Sequence, residues 1–433
     1  VQEQLIRAII PVIALVISAC QSSAPATRPP ITLTAPPATA TAPIAPSPSA
    51  LPTLPLPPAD EAARRIVVPP GFAIRIFAQK LNDARLMAFG PDGALYVTLT
   101  GPGQIVRLTD RNNAGVADGV EIVARNLAQP HGIEFHDGWW YVAERDRIER
   151  FDATFQTREL VTEDIPCCGG HFTRTLHFGP DGRLYLSAGS SSNNTPEGDP
   201  RRAAILRFNP DGSIPSDNPF ASDPDKRKQA VWADGLRNSV DFLWTPDGQL
   251  WASMMGVDAL GDDAPPEVIV TRVERGRFYG WPYCYTPTLG LNAERKSQVR
   301  DTRVPLPPGL DCAMAAPALF TDLAHSAPLG MSFARGKNFP AALQNDLFVA
   351  YHGSWNTNAV ENYRDCKVQR IVIENGMPAR SETFATGWRA PNGKCGDAAT
   401  WGRPAGVVFG SDGALYVSDD KGGRVYRIVY AGK

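Results

Sequence analysis

Arg85 to Thr98 read RLMAFGPDGALYVT, and Arg174 to Gly189 read RTLHFGPDGRLYLSAG. In each, an apolar run ends on an aromatic residue, a Gly-Pro-Asp-Gly turn follows, and a second run alternates with period two, as an antiparallel hairpin does. Four further stretches share the plan: HGIEFHDGWWYVAE at 131–144, VDFLWTPDGQLWASMMG at 240–256, LGMSFARGKNF at 329–339 with LFVAYHG at 347–353, and AGVVFGSDGALYVSDD at 405–420. The first aromatic residues of the six copies are Phe89, Phe135, Phe178, Trp244, Phe333 and Phe409. Almost no stretch sustains a helical period. The repeats therefore predict an all-β chain, a six-bladed β-propeller of four-stranded antiparallel blades, in which radial packing covers each sheet and leaves few open edges.

Uneven spacing locates the working face. Inserts follow Gly189, Met255 and Tyr283, while the first two copies stay compact; long inserts on a propeller build one face, at the mouth of the central channel. The segment leading into each aromatic residue is the candidate innermost strand. These segments supply Arg85, His131, His171 with Arg174, Arg237 with Asn238, His325 and Arg403. Several cations converging on one axis in a chain of formal net charge −2 point to a small or flat anionic ligand, because guanidinium forks match carboxylate and phosphate geometry. The overall charge balance gives no bias toward nucleic acid.

The N-terminal region reads as an address. Arg7 precedes the apolar run AIIPVIALVISAC, which suits a signal-peptide core and is short for a bilayer span. Its end, Ile17-Ser18-Ala19-Cys20, resembles a bacterial lipobox, so residues 1–20 are expected to be a lipoprotein signal peptide, with Cys20 lipidated. Residues 21–60 are rich in Pro, Ala and Thr and are expected to be an extended linker. Residues 61–433 then form the propeller, exported and held by its N-terminal lipid at the cell surface or in the periplasm. Six cysteines remain after Cys20, an even number that favours disulfides in an oxidising compartment. Six cysteines allow about 15 connectivities; local pairing is the expectation chosen among them, Cys284 with Cys312 and Cys366 with Cys395, which would leave Cys167 and Cys168 as a vicinal bridge or two free thiols.

The residues also resemble a known family, the glucose/sorbosone dehydrogenases, six-bladed propellers that use pyrroloquinoline quinone (PQQ) and calcium. The matching pieces run from PPGFAIRIFA at Pro69 to GRVYRIVY at Gly423. The most specific are GLRN at 235–238, GVDALGDDAPPE at 256–267, YGWPYC at 279–284, YHGSWN at 351–356 and GRPAGVVFGSDGALYVSDDKGG from Gly402. The last two look like the sorbosone-dehydrogenase branch; the soluble glucose-dehydrogenase branch carries a lysine where this chain reads YHGSWN. The resemblance implies His171 as catalytic base, Arg237, Asn238, Arg403, Arg174, His352 and Lys421 as cofactor contacts, and Gly256, Val257 and Asp258 as calcium ligands. It implies a sugar substrate, aldose or sorbosone-like, and an electron acceptor that is a quinone or a cytochrome. Trp355 and Tyr351 are candidate walls of the sugar site.

Two other classes compete with the dehydrogenase: a lipid-anchored propeller that only binds, and a metal-dependent lactonase. A calcium lactonase wants carboxylates and asparagines converging in the channel, whereas the channel candidates here are mostly cationic. DRNNAGVADGVE at 110–121 places Asp, Asn, Gly and Glu at EF-hand offsets, but Ala114 replaces a ligand and strands flank it, so a turn between strands is expected.

Overall fold

A computed structural model describes residues 54–292 and 296–432. The expected signal peptide, Cys20 and most of the linker lie outside the described residues.

Six antiparallel sheets follow one another along the chain, as expected. The first comprises Ala84–Phe89, Leu95–Leu99, Gln104–Thr109 and Gly119–Ala124. The innermost strands are Ala84–Phe89, Gly132–His136, Leu176–Phe178, Phe242–Trp244, Pro328–Phe333 and Pro404–Phe409, and each ends on its aromatic residue or, in the second blade, one residue beyond it. The fourth blade gains a fifth, two-residue strand at Gly290–Leu291. In the sixth, Phe72–Gln79 pairs with Arg424–Tyr430, so the N-terminal strand is the outer strand of the C-terminal blade and closes the ring.

The repeated turn is explained by its aspartate. Asp92, Asp181 and Asp412 each accept the backbone N–H two residues on, at 3.0–3.1 Å, and each takes a guanidinium from the third strand of its blade: Arg107, Arg207 and Arg427. Such Asx turns fix hairpin geometry locally. The second strands Leu95–Leu99, Leu184–Ala188, Leu250–Met254, Leu347–Tyr351 and Leu415–Asp419 are buried at every position, because neighbouring blades cover both faces.

The boundary of the propeller domain falls earlier than residue 61. Leu54 packs on the core beside Phe77 and Leu95, Pro55 and Pro57 accept hydrogen bonds from Arg427 and Arg75, and Asp60 caps the short helix Glu61–Arg65. The Asp110 segment is a turn between two strands, where Asp110 binds the N–H groups of Ala114 and Gly115. All three disulfides form: Cys167–Cys168, Cys284–Cys312 and Cys366–Cys395.

Down the channel from the mouth, His177 clasps the ring. Its Nδ1 meets Glu134 at 2.7 Å and its Nε2 meets Asp241 at 3.0 Å, and Asp241 also accepts the Met331 N–H, so inner strands of four blades are tied together. Burial opposes its charge, but the hydrogen bonds to both carboxylates outweigh burial and raise its pKa to about 10.

Candidate active site

The first residues of the inner strands and the inserts above them meet at one mouth of the channel. His171 lies on the segment entering the third blade, and its backbone N–H donates to Ser190 O at 2.9 Å. Gly189 is required beneath it: a Cβ there would lie 2.6 Å from the His171 Cβ and 2.7 Å from Asn238 Oδ1. Histidine and asparagine therefore stand side by side over a backbone that admits only glycine.

The tautomer of His171 follows from its partners. Nδ1 lies 3.2 Å from Ser190 O and 2.9 Å from Ser190 Oγ, and that hydroxyl already donates to Ser192 O at 2.7 Å. A carbonyl and a spoken-for hydroxyl can only accept, so Nδ1 carries the proton and Nε2 the lone pair. Burial, then the Arg237 charge, lowers the His171 pKa to about 4, which keeps the imidazole neutral near pH 7.

Arg237 is buried, with Nε on Asn193 O at 2.9 Å and Nη2 on Asn193 Oδ1 at 2.9 Å and Asp258 Oδ2 at 3.1 Å. Burial lowers its pKa, with Asp258 opposing. Asp258 in turn accepts Asn356 Nδ2 at 2.6 Å, and Asn193 O accepts the Trp281 indole at 2.9 Å. Arg303, from the insert after Tyr283, donates to Asp258 O at 2.9 Å, so the three inserts converge here with the YHGSWN loop. Asn193, the hub of this network, escaped the sequence reading: it lies in a Ser/Asn-rich insert without periodicity, and only the insert after Gly189 marked the region.

Across the mouth stands a second cluster. His352 Nε2 donates to Asp420 at 2.9 Å, Arg85 pairs with Asp420 at 3.1 Å, and the Arg85 guanidinium sits 5.8 Å from the Phe172 ring, next to His171. Burial pushes the Asp420 carboxyl up, but the Arg85 and Arg403 charges and the hydrogen bond from His352 outweigh it and hold it below the usual range. Burial takes His352 down to about 4, with Arg403 and Arg85 adding to it against Asp420. We read the pair as a neutral imidazole donating to an ionised carboxylate. Among the described residues the Arg403 guanidinium reaches only the carbonyls of His352 and Gly353, and burial lowers its pKa to about 10. With exposed Lys421 these residues line a cavity of about 460 Å³.

Some expected residues do other work. Arg174 is 1% exposed and turned into the protein, where it holds loop carbonyls, so it is not a cofactor contact. His131 is enclosed at 1% exposure against Thr175, its pKa lowered to about 3 by burial and the Arg85 charge. His325 Nε2 donates to Gly261 O, and its Nδ1 is 3.7 Å from Asp258. Tyr351 is fully buried and donates to Asp322, so it cannot wall a sugar site; Trp355, 64% exposed beside Asn356, can. His136 stacks on Phe178 with centroids 3.7 Å apart.

Whether the mouth suits a planar polycarboxylate and a hard cation is decided by its donors. Among the described residues, Arg403 and Lys421 have no carboxylate at ion-pair distance, leaving two cations for an anion. The carbonyl oxygens of Gly256 and Val257 accept no hydrogen bond from the described residues, although the Gly256 N–H is fixed on buried Glu267 at 2.7 Å and Val257 is 6% exposed. Uncommitted carbonyls beside Asp258 form an oxygen set suited to calcium. The donors fit both groups.

A six-bladed propeller with a neutral, lone-pair-bearing histidine opposite uncommitted cations has the architecture of a propeller dehydrogenase. The TrAA12-like family model matches residues 66–431, and the chain belongs to this family. It is 27% identical over 429 residues to the pyrroloquinoline quinone-dependent pyranose dehydrogenase of Coprinopsis cinerea, covering 86% of this chain but only 56% of the fungal protein. An uncharacterized protein of Borreliella burgdorferi is 26% identical over 393 residues, covering 86% of this chain and 93% of the relative. The holo PQQ domain of the Coprinopsis enzyme superposes with a TM-score of 0.67 at 24% identity, covering 88% of this chain and 99% of that domain.

Proposed function

We propose that this protein oxidises a sugar hydroxyl at the channel mouth with PQQ as its cofactor and His171 as general base. The observation that carries the reading is the His171 tautomer: Nδ1–H is committed to Ser190, which leaves the lone pair on Nε2 of a histidine that stands next to Asn238 across Gly189. Arg237, Asn238, His352, Arg403 and Lys421 would hold the cofactor, and the carbonyls of Gly256 and Val257 with Asp258 would hold calcium. When bound, the quinone supplies a two-electron acceptor for hydride, and a hard cation polarises it. The chain's own part is to orient the sugar, with Trp355 as an apolar platform, and to take the hydroxyl proton on His171 Nε2.

The experiment is reconstitution. Apo-protein titrated with PQQ should bind it, and aldose-dependent dye reduction should require calcium, vanish with a chelator and return with added calcium. Absence of quinone binding with or without calcium would leave a binding module as the better reading. The ISAC ending and proline-rich spacer further support a lipid anchor at Cys20 on an exported protein. Cys20→Ser should release the domain from membranes, and unchanged membrane association would refute the anchor.

A further inference from the structure

We propose that Arg174 is a positioning residue for His171, acting through the backbone carbonyls of residues 166–173. The inference rests on the reading of His171 as the base. Arg174 Nη2 donates to Pro166 O at 2.6 Å, and Nη1 donates to Thr173 O at 2.7 Å and to the carbonyl of His171 itself at 3.1 Å. One planar fork therefore pins both ends of the Cys-Cys-Gly-Gly turn and the base that follows it.

The turn needs such a clamp. Cys168, Gly169 and Gly170 all have positive φ, at 69°, 97° and 56°, and residues 166–175 belong to no strand. No ladder of sheet hydrogen bonds fixes the approach to His171. Besides the Arg174 clamp, the turn is held by the Cys167–Cys168 bond, by the His171 N–H on Ser190 O at 2.9 Å and by the Arg202 Nη2 contact to Cys168 O at 3.3 Å.

Arg174 is also costly where it sits. It is 1% exposed and has no carboxylate at ion-pair distance among the described residues; burial, then the Arg202 charge, lowers its pKa to about 9. An apolar residue would fill that space with less penalty, whereas only a guanidinium spans three carbonyls in one plane. The charged groups that bear on His171 are Arg237 and Arg174 on the cationic side and Asp258 on the anionic side. Arg174 thus holds the imidazole in place and adds to the field that disfavours its protonation.

The test uses the PQQ- and calcium-loaded enzyme with Arg174→Lys and Arg174→Met. Lysine keeps the charge but cannot span three carbonyls, so kcat should fall about 10- to 100-fold, the loss expected when a reacting group shifts by about an ångström. KM and the PQQ dissociation constant should stay within about twofold. In Arg174→Met the acid limb of kcat/KM should also move to higher pH, while in Arg174→Lys it stays. NMR titration of the His171 imidazole, identified by its absence in His171→Gln, gives the same comparison in apo-protein. Retained kcat in either folded variant, or an unmoved His171 titration in Arg174→Met, would overturn the proposal. If Arg174→Met does not fold, Arg174→Lys carries the test through kcat against KM. If wild-type protein turns over no sugar, the dehydrogenase reading fails, and the imidazole titration still decides the role of Arg174.

Discussion

His171 presents a lone pair on Nε2 only because Nδ1 keeps its proton in a hydrogen bond to Ser190 on the other side of the ring, so a side chain of similar size without a basic nitrogen separates chemistry from binding. His171→Gln should bind PQQ as wild type does and lose about 10²–10⁴-fold in kcat; single-turnover quinone reduction checks this, and near wild-type turnover would move the base elsewhere. His177 has the opposite chemistry. Its folded pKa, raised to about 10, exceeds the ordinary histidine value, so it adds stability fully below about pH 6.5, and that stability is lost as pH rises through about 10. His177→Asn should therefore destabilise by on the order of 2–4 kcal/mol at pH 6 and progressively less above pH 7, as urea melts across that range would show. At this scale the sequence carried residue type but not orientation. His171, Arg237, Asn238 and Arg403 reach the mouth as their positions before inner strands imply. Arg174 sits three residues from His171 on the same segment, yet its side chain turns inward to carbonyls that no spacing rule announces. Tyr351 and Trp355 read alike as aromatic, but Tyr351 ends a buried strand while Trp355 lies on the loop beyond it, a core phenol against an exposed indole.

The hairpin with its Asp turn is the unit whose geometry was most readable, because the aspartate, the glycine and the apolar alternation all act within a few residues of one another. The second strand is less so: Leu95–Leu99 reads as half-buried, but both faces are covered, since the neighbouring blade is distant in sequence. The inserts are least readable, being held by long-range contacts such as Asn193 to Arg237 and Asp262 to the N–H groups of Asn358 and Ala359. Among the disulfides, exposure distinguishes one element from the others. Cys168 is exposed and Cys167 half-buried, whereas Cys284, Cys312, Cys366 and Cys395 are all buried. Thiolate attack needs access to sulfur, so a mild thiol reductant on folded protein should open Cys167–Cys168 first. Differential alkylation followed by peptide mass spectrometry should label those two cysteines well before the other four; simultaneous labelling would show that the loop is not separately accessible.

For the whole molecule, a ring of blades is only as stable as its closure. Phe72–Gln79 supplies the outer strand of the sixth blade, where Ile74 is buried and Phe72 packs on Phe339 and Phe384, while Leu54 and Pro55 lie against the neighbouring first blade. Strand pairing between the two ends of the domain converts an open stack with two free edges into a closed one. Two truncations separate closure from mere N-terminal length. Removing residues 1–53 leaves the helix, the closing strand and the contacts of Leu54 to Pro58 in place, so thermal stability should match the longer protein within a few degrees. Removing residues 1–79 leaves Arg424–Tyr430 unpaired on one side and exposes the Phe339 and Phe384 surface, so the protein should lose its cooperative melt or become insoluble. If the shorter protein instead melts cooperatively near the same temperature, the ring does not depend on its closing strand, and the channel mouth must be held by the inserts alone.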